Sequence, residues 1–110
     1  MATELPEFDV DVVPDGDALI LRLTGELDYG TVRTLETTLA EVARKHPVSN
    51  LRIDLRELDF IDSAGISALI AANAEAARRG ARLQVVRGAE NVQRALQVVG
   101  IDQIVEFVDG

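Results

Sequence analysis

The apolar residues of this chain recur at two periods, and the two alternate along the sequence. Phe8, Val10 and Val12 alternate with Asp9 and Asp11. Period two marks a strand with one buried face, because successive side chains point to opposite sides. Pro14-Asp15-Gly16-Asp17 reads as a tight turn. Leu19, Leu21 and Leu23 alternate with Ile20 and Arg22, so a second strand follows and an antiparallel hairpin is expected. After Gly25-Glu26-Leu27-Asp28 the period lengthens: Val32, Leu35, Leu39 and Val42 share one helical face. Asp28 or Thr31 is expected to cap this helix by accepting a free backbone N–H. Arg44 and Lys45 suit the negative end of its dipole, and His46-Pro47 ends it.

The alternation then repeats. Leu51, Ile53 and Leu55 predict a third strand, with Phe60-Ile61 following after a short loop. Ile66, Leu69, Ile70, Ala74 and Ala77 mark a second helix, which Arg78-Arg79-Gly80 closes. Leu83, Val85 and Val86 predict a fourth strand. Val92, Leu96 and Val99 predict a third helix closed by Gly100. Residues 104–108 fit either a short strand or a final helical turn. Strands alternating with helices imply an α/β fold with parallel crossovers, and the leading hairpin makes the sheet mixed. The reading is one domain over residues 1–110, with its core at about 8–108.

Charge and composition narrow the function. Eleven basic against nineteen acidic residues give a net charge of −8, a surface that repels nucleic-acid phosphates and anionic lipid heads. Direct nucleic-acid binding is not expected; solubility or a basic partner surface accounts for the acidity. There are no cysteines, so disulfides, thiolate metal sites and cysteine nucleophiles are excluded. No apolar run approaches the ~20 residues needed to span a bilayer. The segment Met1 to Phe8, with two glutamates and no basic residue, does not read as a signal peptide. No phosphate-binding glycine motif occurs. His46, the only histidine, reads as an exposed turn residue beside Pro47. Asp59 and Asp62 lack a third ligand at suitable spacing, so no metal and no cofactor are expected. The chain is not expected to be an enzyme.

The informative stretch is Leu58-Asp59-Phe60-Ile61-Asp62-Ser63-Ala64-Gly65-Ile66. It sets a serine at the start of a helix, where free N–H groups gather and the dipole is positive outward. An anion on Ser63 would be tolerated there. Gly65 leaves room for close approach of another backbone or of a phosphoryl group. Local physics also allows plain capping by Asp62 and Ser63, worth ~1 kcal/mol each.

The run Phe60-Ile61-Asp62-Ser63-Ala64-Gly65-Ile66 resembles the signature of STAS domains, the family named for sulfate transporters and anti-sigma factor antagonists. Leu23-Thr24-Gly25-Glu26-Leu27-Asp28 resembles that family's second strand and following loop. Gly80-Ala81-Arg82-Leu83 and Val99-Gly100-Ile101 match its layout. The resemblance runs from about Phe8 to Val108. It implies the STAS fold: a mixed sheet of four to five strands, with three to four helices packed on it.

It also implies a function. In the antagonist branch, the unphosphorylated protein binds an anti-sigma factor and so frees a sigma factor. The anti-sigma factor is also a serine kinase with a histidine-kinase-like ATP site, and its phosphorylation of the antagonist separates the pair. A PP2C-type phosphatase resets the switch. Carried onto this sequence, the phosphoacceptor is Ser63. The partner surface comprises Asp28, Asp59, Asp62, Ser63, Ala64, Gly65 and Ser67. Many relatives carry a second hydroxyl after the phosphoacceptor; here Ala64 leaves Ser63 as the motif's only hydroxyl. The outer side of the second helix, around Ser67, Ala71 and Asn73, continues from Ser63, and Arg78 and Arg79 could extend it. A cytoplasmic protein, monomeric when free, is expected. Two other readings share the fold: a non-switching subunit that docks on an ABC-transporter ATPase, and a phosphorylatable scaffold of a stress-sensing complex.

Overall fold

The computed structural model describes residues 8–110. The chain order is β1 (Phe8–Asp15), β2 (Ala18–Leu27), α1 (Val32–Lys45), β3 (Asn50–Ile61), α2 (Ser63–Arg78), β4 (Arg82–Val86), α3 (Glu90–Val98), a 3-10 turn (Ile101–Gln103) and β5 (Glu106–Val108). The expected hairpin and the expected alternation are both present. The reading of the N-terminal segment as no signal peptide concerns residues 1–7, which lie outside the described residues.

The five strands lie side by side in chain order. β1 pairs with β2 antiparallel across the Asp15–Ala18 turn, where Gly16 takes φ +62. β2–β3, β3–β4 and β4–β5 are all parallel. Each parallel step needs a crossover, and all three step the same way across the sheet. Right-handed crossovers therefore place α1, α2 and α3 on one face. The burial pattern agrees. Leu21, Ile53 and Val85, aligned across three strands, are fully buried beneath the helices together with Leu23, Leu35, Leu55, Leu69, Val92 and Leu96.

The opposite face is a charge ladder. Asp11 aligns with Arg22, and Arg22 with Asp54. Asp54 is the buried polar residue among the described residues of the sheet; its carboxylate takes three bonds from the Arg56 guanidinium, at 3.1, 3.2 and 2.8 Å, and one from the Arg56 N–H at 3.0 Å. Arg22 stands 3.9 Å away. Burial pushes this carboxyl up, but the bonds from Arg56 and the charges of Arg56 and Arg22 outweigh it and hold it below the usual carboxylate range.

Three expectations are corrected in detail, and an open one is decided. Phe60-Ile61 is not separated by a loop but is the end of one strand, β3, twelve residues long. Its burial departs from period two after Leu55, with Leu58 and Ile61 the next buried positions, because the β2–β3 register shifts twice. In α2 the buried stripe is Gly65, Ile66, Ala68, Leu69 and Ala76, whereas Ala74 and Ala77 face solvent. In α3 the core residues are Val92 and Leu96; Val99 is the C-cap and is 56% exposed. Of the two alternatives for residues 104–108 the structure takes the strand, β5 (Glu106–Val108), and the 3-10 turn lies just before that span at Ile101–Gln103.

Candidate functional site

The functional stretch lies where the parallel strands end and α2 begins. Leu27 and Ile61 are register partners at the ends of β2 and β3, so the β2–α1 loop and the start of α2 emerge side by side. Asp62 is the N-cap of α2, with extended backbone at φ −110, ψ −173. Its N–H donates to the Leu27 carbonyl at 3.1 Å. Its carboxylate is shared: Oδ1 accepts from the Gly65 N–H at 3.0 Å, and Oδ2 from the Tyr29 N–H at 3.1 Å. One side chain thus caps the helix and ties the neighbouring loop to it.

Ser63 is the first residue of α2 and is exposed. Of the first-turn N–H groups, Gly65 is taken by the cap and Ile66 by the Asp62 carbonyl. Those of Ser63 and Ala64 have no protein partner among the described residues. They sit at the positive end of a sixteen-residue helix, beside the hydroxyl.

Gly65 is buried, and its role is decided by close approach. A Cβ there would stand 2.8 Å from Leu27 Cγ, 2.8 Å from Ile61 Cγ1 and 2.9 Å from the Leu27 carbonyl oxygen. Of the two uses open to this glycine, approach of another backbone is the one seen. α2 can therefore lie down on β2 and β3 with its first residue presented outward.

Asp28 organises the adjacent loop. Its Oδ1 accepts from the Thr31 N–H at 3.0 Å, and its carbonyl accepts from Val32 at 2.8 Å. Thr31 occupies the N-cap position of α1 but makes no capping bond with its side chain. Its hydroxyl turns back to the Glu26 carbonyl at 2.7 Å, and its oxygen accepts from the Asp28 N–H at 3.0 Å. Neither of the two capping candidates caps α1 with its side chain: the Asp28 carboxylate holds the N–H of the N-cap residue, and the first helical N–H, that of Val32, goes to the Asp28 backbone carbonyl. Asp59 lies near the end of β3, exposed, with its carbonyl accepting from Asn91 Nδ2 at 2.8 Å. Ser67, one turn beyond Ser63, is exposed, and Ala64 is half-buried.

The structure therefore brings Asp28, Asp59, Asp62, Ser63, Ala64 and Ser67 to one end of the sheet and buries Gly65 beneath them. Along α2, Ala71 is exposed, whereas Asn73 is half-buried and donates to the Ile104 carbonyl at 3.2 Å. Arg79 donates to the Ala43 carbonyl at 3.4 Å. Sequence reasoning missed two residues of this end. Tyr29 is 86% exposed and Phe60 45% exposed. The available signal was that both are aromatics outside any apolar period, in a chain with only three Phe and one Tyr. No cluster of metal-ligating side chains occurs among the described residues, and no helix among them is long and apolar enough to cross a membrane.

A family model described as Mlab, STAS domain, matches residues 10–106. The chain belongs to the STAS family. The anti-sigma-F factor antagonist RsfB of Mycobacterium tuberculosis is 29% identical over 94 residues, covering 86% of this chain and 75% of that protein. The crystal structure of an anti-sigma factor antagonist from Mycobacterium paratuberculosis matches with a TM-score of 0.86 at 21% identity, covering 98% of this chain and 92% of that one. The phosphorylated form of SpoIIAA, a Bacillus cell fate determinant, matches with a TM-score of 0.67 at 18% identity, covering 92% of this chain and 90% of that one. At these identities the solved structures establish the shared mixed α/β fold.

Proposed function

We propose that this STAS protein is an anti-sigma factor antagonist whose complex with an anti-sigma factor is broken by phosphorylation of Ser63. The observation that carries the reading is the exposed hydroxyl of Ser63 at the first position of α2, beside two N–H groups without a partner among the described residues and directly after the Asp62 cap. A kinase can reach that hydroxyl without unfolding anything. The names of the similar proteins support the same role: RsfB is an anti-sigma-F factor antagonist, and SpoIIAA has a phosphorylated form.

The switch needs only local electrostatics. Phosphorylation adds about −1.5 to −2 charge at neutral pH. In the free protein, water and the N–H groups of Ser63 and Ala64 stabilise it. In a docked complex the phosphate loses water and faces Asp28, Asp59 and Asp62. A penalty of ~3 kcal/mol corresponds to roughly a hundredfold loss of affinity. No rearrangement of the sheet is required.

The partner is an anti-sigma factor that is itself a serine kinase with a histidine-kinase-like ATP site, and a PP2C-type phosphatase removes the phosphate. The protein works in the cytoplasm as one domain, a monomer when free, without a cofactor and without catalysis of its own. The test is to mix it with the candidate kinase and ATP, following intact mass and size exclusion. One phosphate, absent in Ser63→Ala, with release of the complex, is the expected result. Uptake of phosphate at another residue, or a complex indifferent to ATP, overturns it.

A further inference from the structure

Two of the four aromatic side chains stand in water, and both are at the Ser63 end of the sheet. Tyr29 is 86% exposed and Phe60 45% exposed, while Phe8 is buried and Phe107 half-buried. Large aromatics left in solvent at one place mark contact surface, because they bring much area at little entropic cost. The placement is not accidental to the fold. Phe60 is the register partner of Glu26 at the end of β3, three residues before Ser63. Tyr29 lies two residues beyond Leu27, and its N–H is held by the same Asp62 carboxylate that caps the Ser63 helix. The loop that carries Tyr29 is closed independently by the Asp28–Thr31 bonds. An exposed side chain on a fixed backbone is a preorganised anchor.

Acidic residues stand near the aromatics, Glu26 and Asp28 on the β2 side and Asp59 and Asp62 on the β3 side, with Arg33 exposed in the first turn of α1. We infer that Tyr29 and Phe60 are the apolar anchors of the Ser63 surface, and that the anti-sigma factor meets them with an apolar recess. This rests on the reading of Ser63 as a switched contact. It adds where the affinity comes from: the aromatics hold the complex, and charge at Ser63 releases it. The aromatic contact sets the dissociation rate.

The probe is the purified anti-sigma factor kinase of the Ser63 assay, without ATP, titrated against the full chain. Tyr29→Ala and Phe60→Ala are each expected to weaken binding tenfold or more, and Tyr29→Phe to lose far less. Val99→Ala, an exposed apolar residue beyond α3, serves as the control and is expected to bind as the parent does. Because Tyr29 is the only tyrosine, 3-fluorotyrosine labelling gives one fluorine resonance from this protein. It is expected to shift or broaden in the complex and to stay at its free position when Ser63→Asp is mixed with the same partner. If the parent binds and Tyr29→Ala binds within twofold of it, or the resonance does not move in the complex, the anchor assignment is overturned while the Ser63 reading stands. If the parent forms no complex, the Ser63 reading falls and the anchors with it.

Discussion

Gly65→Ala tests how the site is built. The added methyl meets Leu27 Cγ and Ile61 Cγ1 at 2.8 Å and the Leu27 carbonyl oxygen at 2.9 Å, all closer than carbon normally tolerates. Leu27 is fully buried, and its carbonyl already accepts from Asp62 N–H, so neither can retreat freely. Overpacking of this kind costs about 1–3 kcal/mol, and rigid backbone among the contacts argues for the upper part. Alanine returns up to ~1 kcal/mol in helix propensity, less in a first turn. The net loss is about 2 kcal/mol. An unfolding entropy of about 2.1 cal/mol/K per residue makes each kcal/mol worth about 4 °C for a chain this long, so Tm should fall by about 8 °C. Thermal unfolding followed by circular dichroism reads it. Placing the substitution in a Leu27→Ala background should reduce its increment, since one of the three contacts is then gone. An unchanged or raised Tm for Gly65→Ala would mean that propensity outweighs contact, and that α2 is not held where the structure shows it.

Three further outcomes follow from the same geometry. Asp62→Ala removes the acceptor for two N–H groups, Gly65 and Tyr29, and should cost about 1–2 kcal/mol in denaturant unfolding; a loss no greater than that of an ordinary surface substitution would refute the shared cap. Ser63→Asp adds negative charge at the positive end of α2 and should leave Tm equal or slightly higher at low salt, so lost binding by this variant cannot be put down to unfolding; a fall in Tm of several degrees would contradict it. Asp54 has a carboxyl held below its ordinary 3.8, so its stabilising contribution is complete above that value and is lost as pH falls through the lower folded one. Urea unfolding between pH 2 and 6 should show this acid-side loss, and Asp54→Asn should flatten it; an unaltered pH profile in that variant would count against the Arg56–Asp54–Arg22 arrangement.

Much of this architecture is legible in the chain because period follows burial. β1 and the first half of β2 alternate, β4 is a short apolar run, and α1 keeps its apolar stripe on one side. Legibility stops where the backbone leaves its ideal period. The far half of β3 reads as a loop because Arg56-Glu57 and Asp59-Phe60 break the alternation, and only the register shifts against β2 explain why it remains a strand. α2 carries seven alanines, distributed around the helix, so they do not reveal which of them face the core. The serine at the head of α2 is legible from the Asp-Ser-Ala-Gly run. The double duty of Asp62 is not, because its second partner, Tyr29, is thirty-three residues away and meets it only through the parallel pairing of β2 with β3. Gly65 announces crowding without naming Leu27 as its cause.

A pair of dissociation constants reads directly whether charge on Ser63 governs the complex. The chain bearing phosphoserine at position 63 and the unmodified chain are each titrated into the purified anti-sigma factor at the same ionic strength. A phosphorylated form at least a hundredfold weaker, with unchanged circular dichroism, is the predicted result. Equal affinities for the two forms would contradict the account.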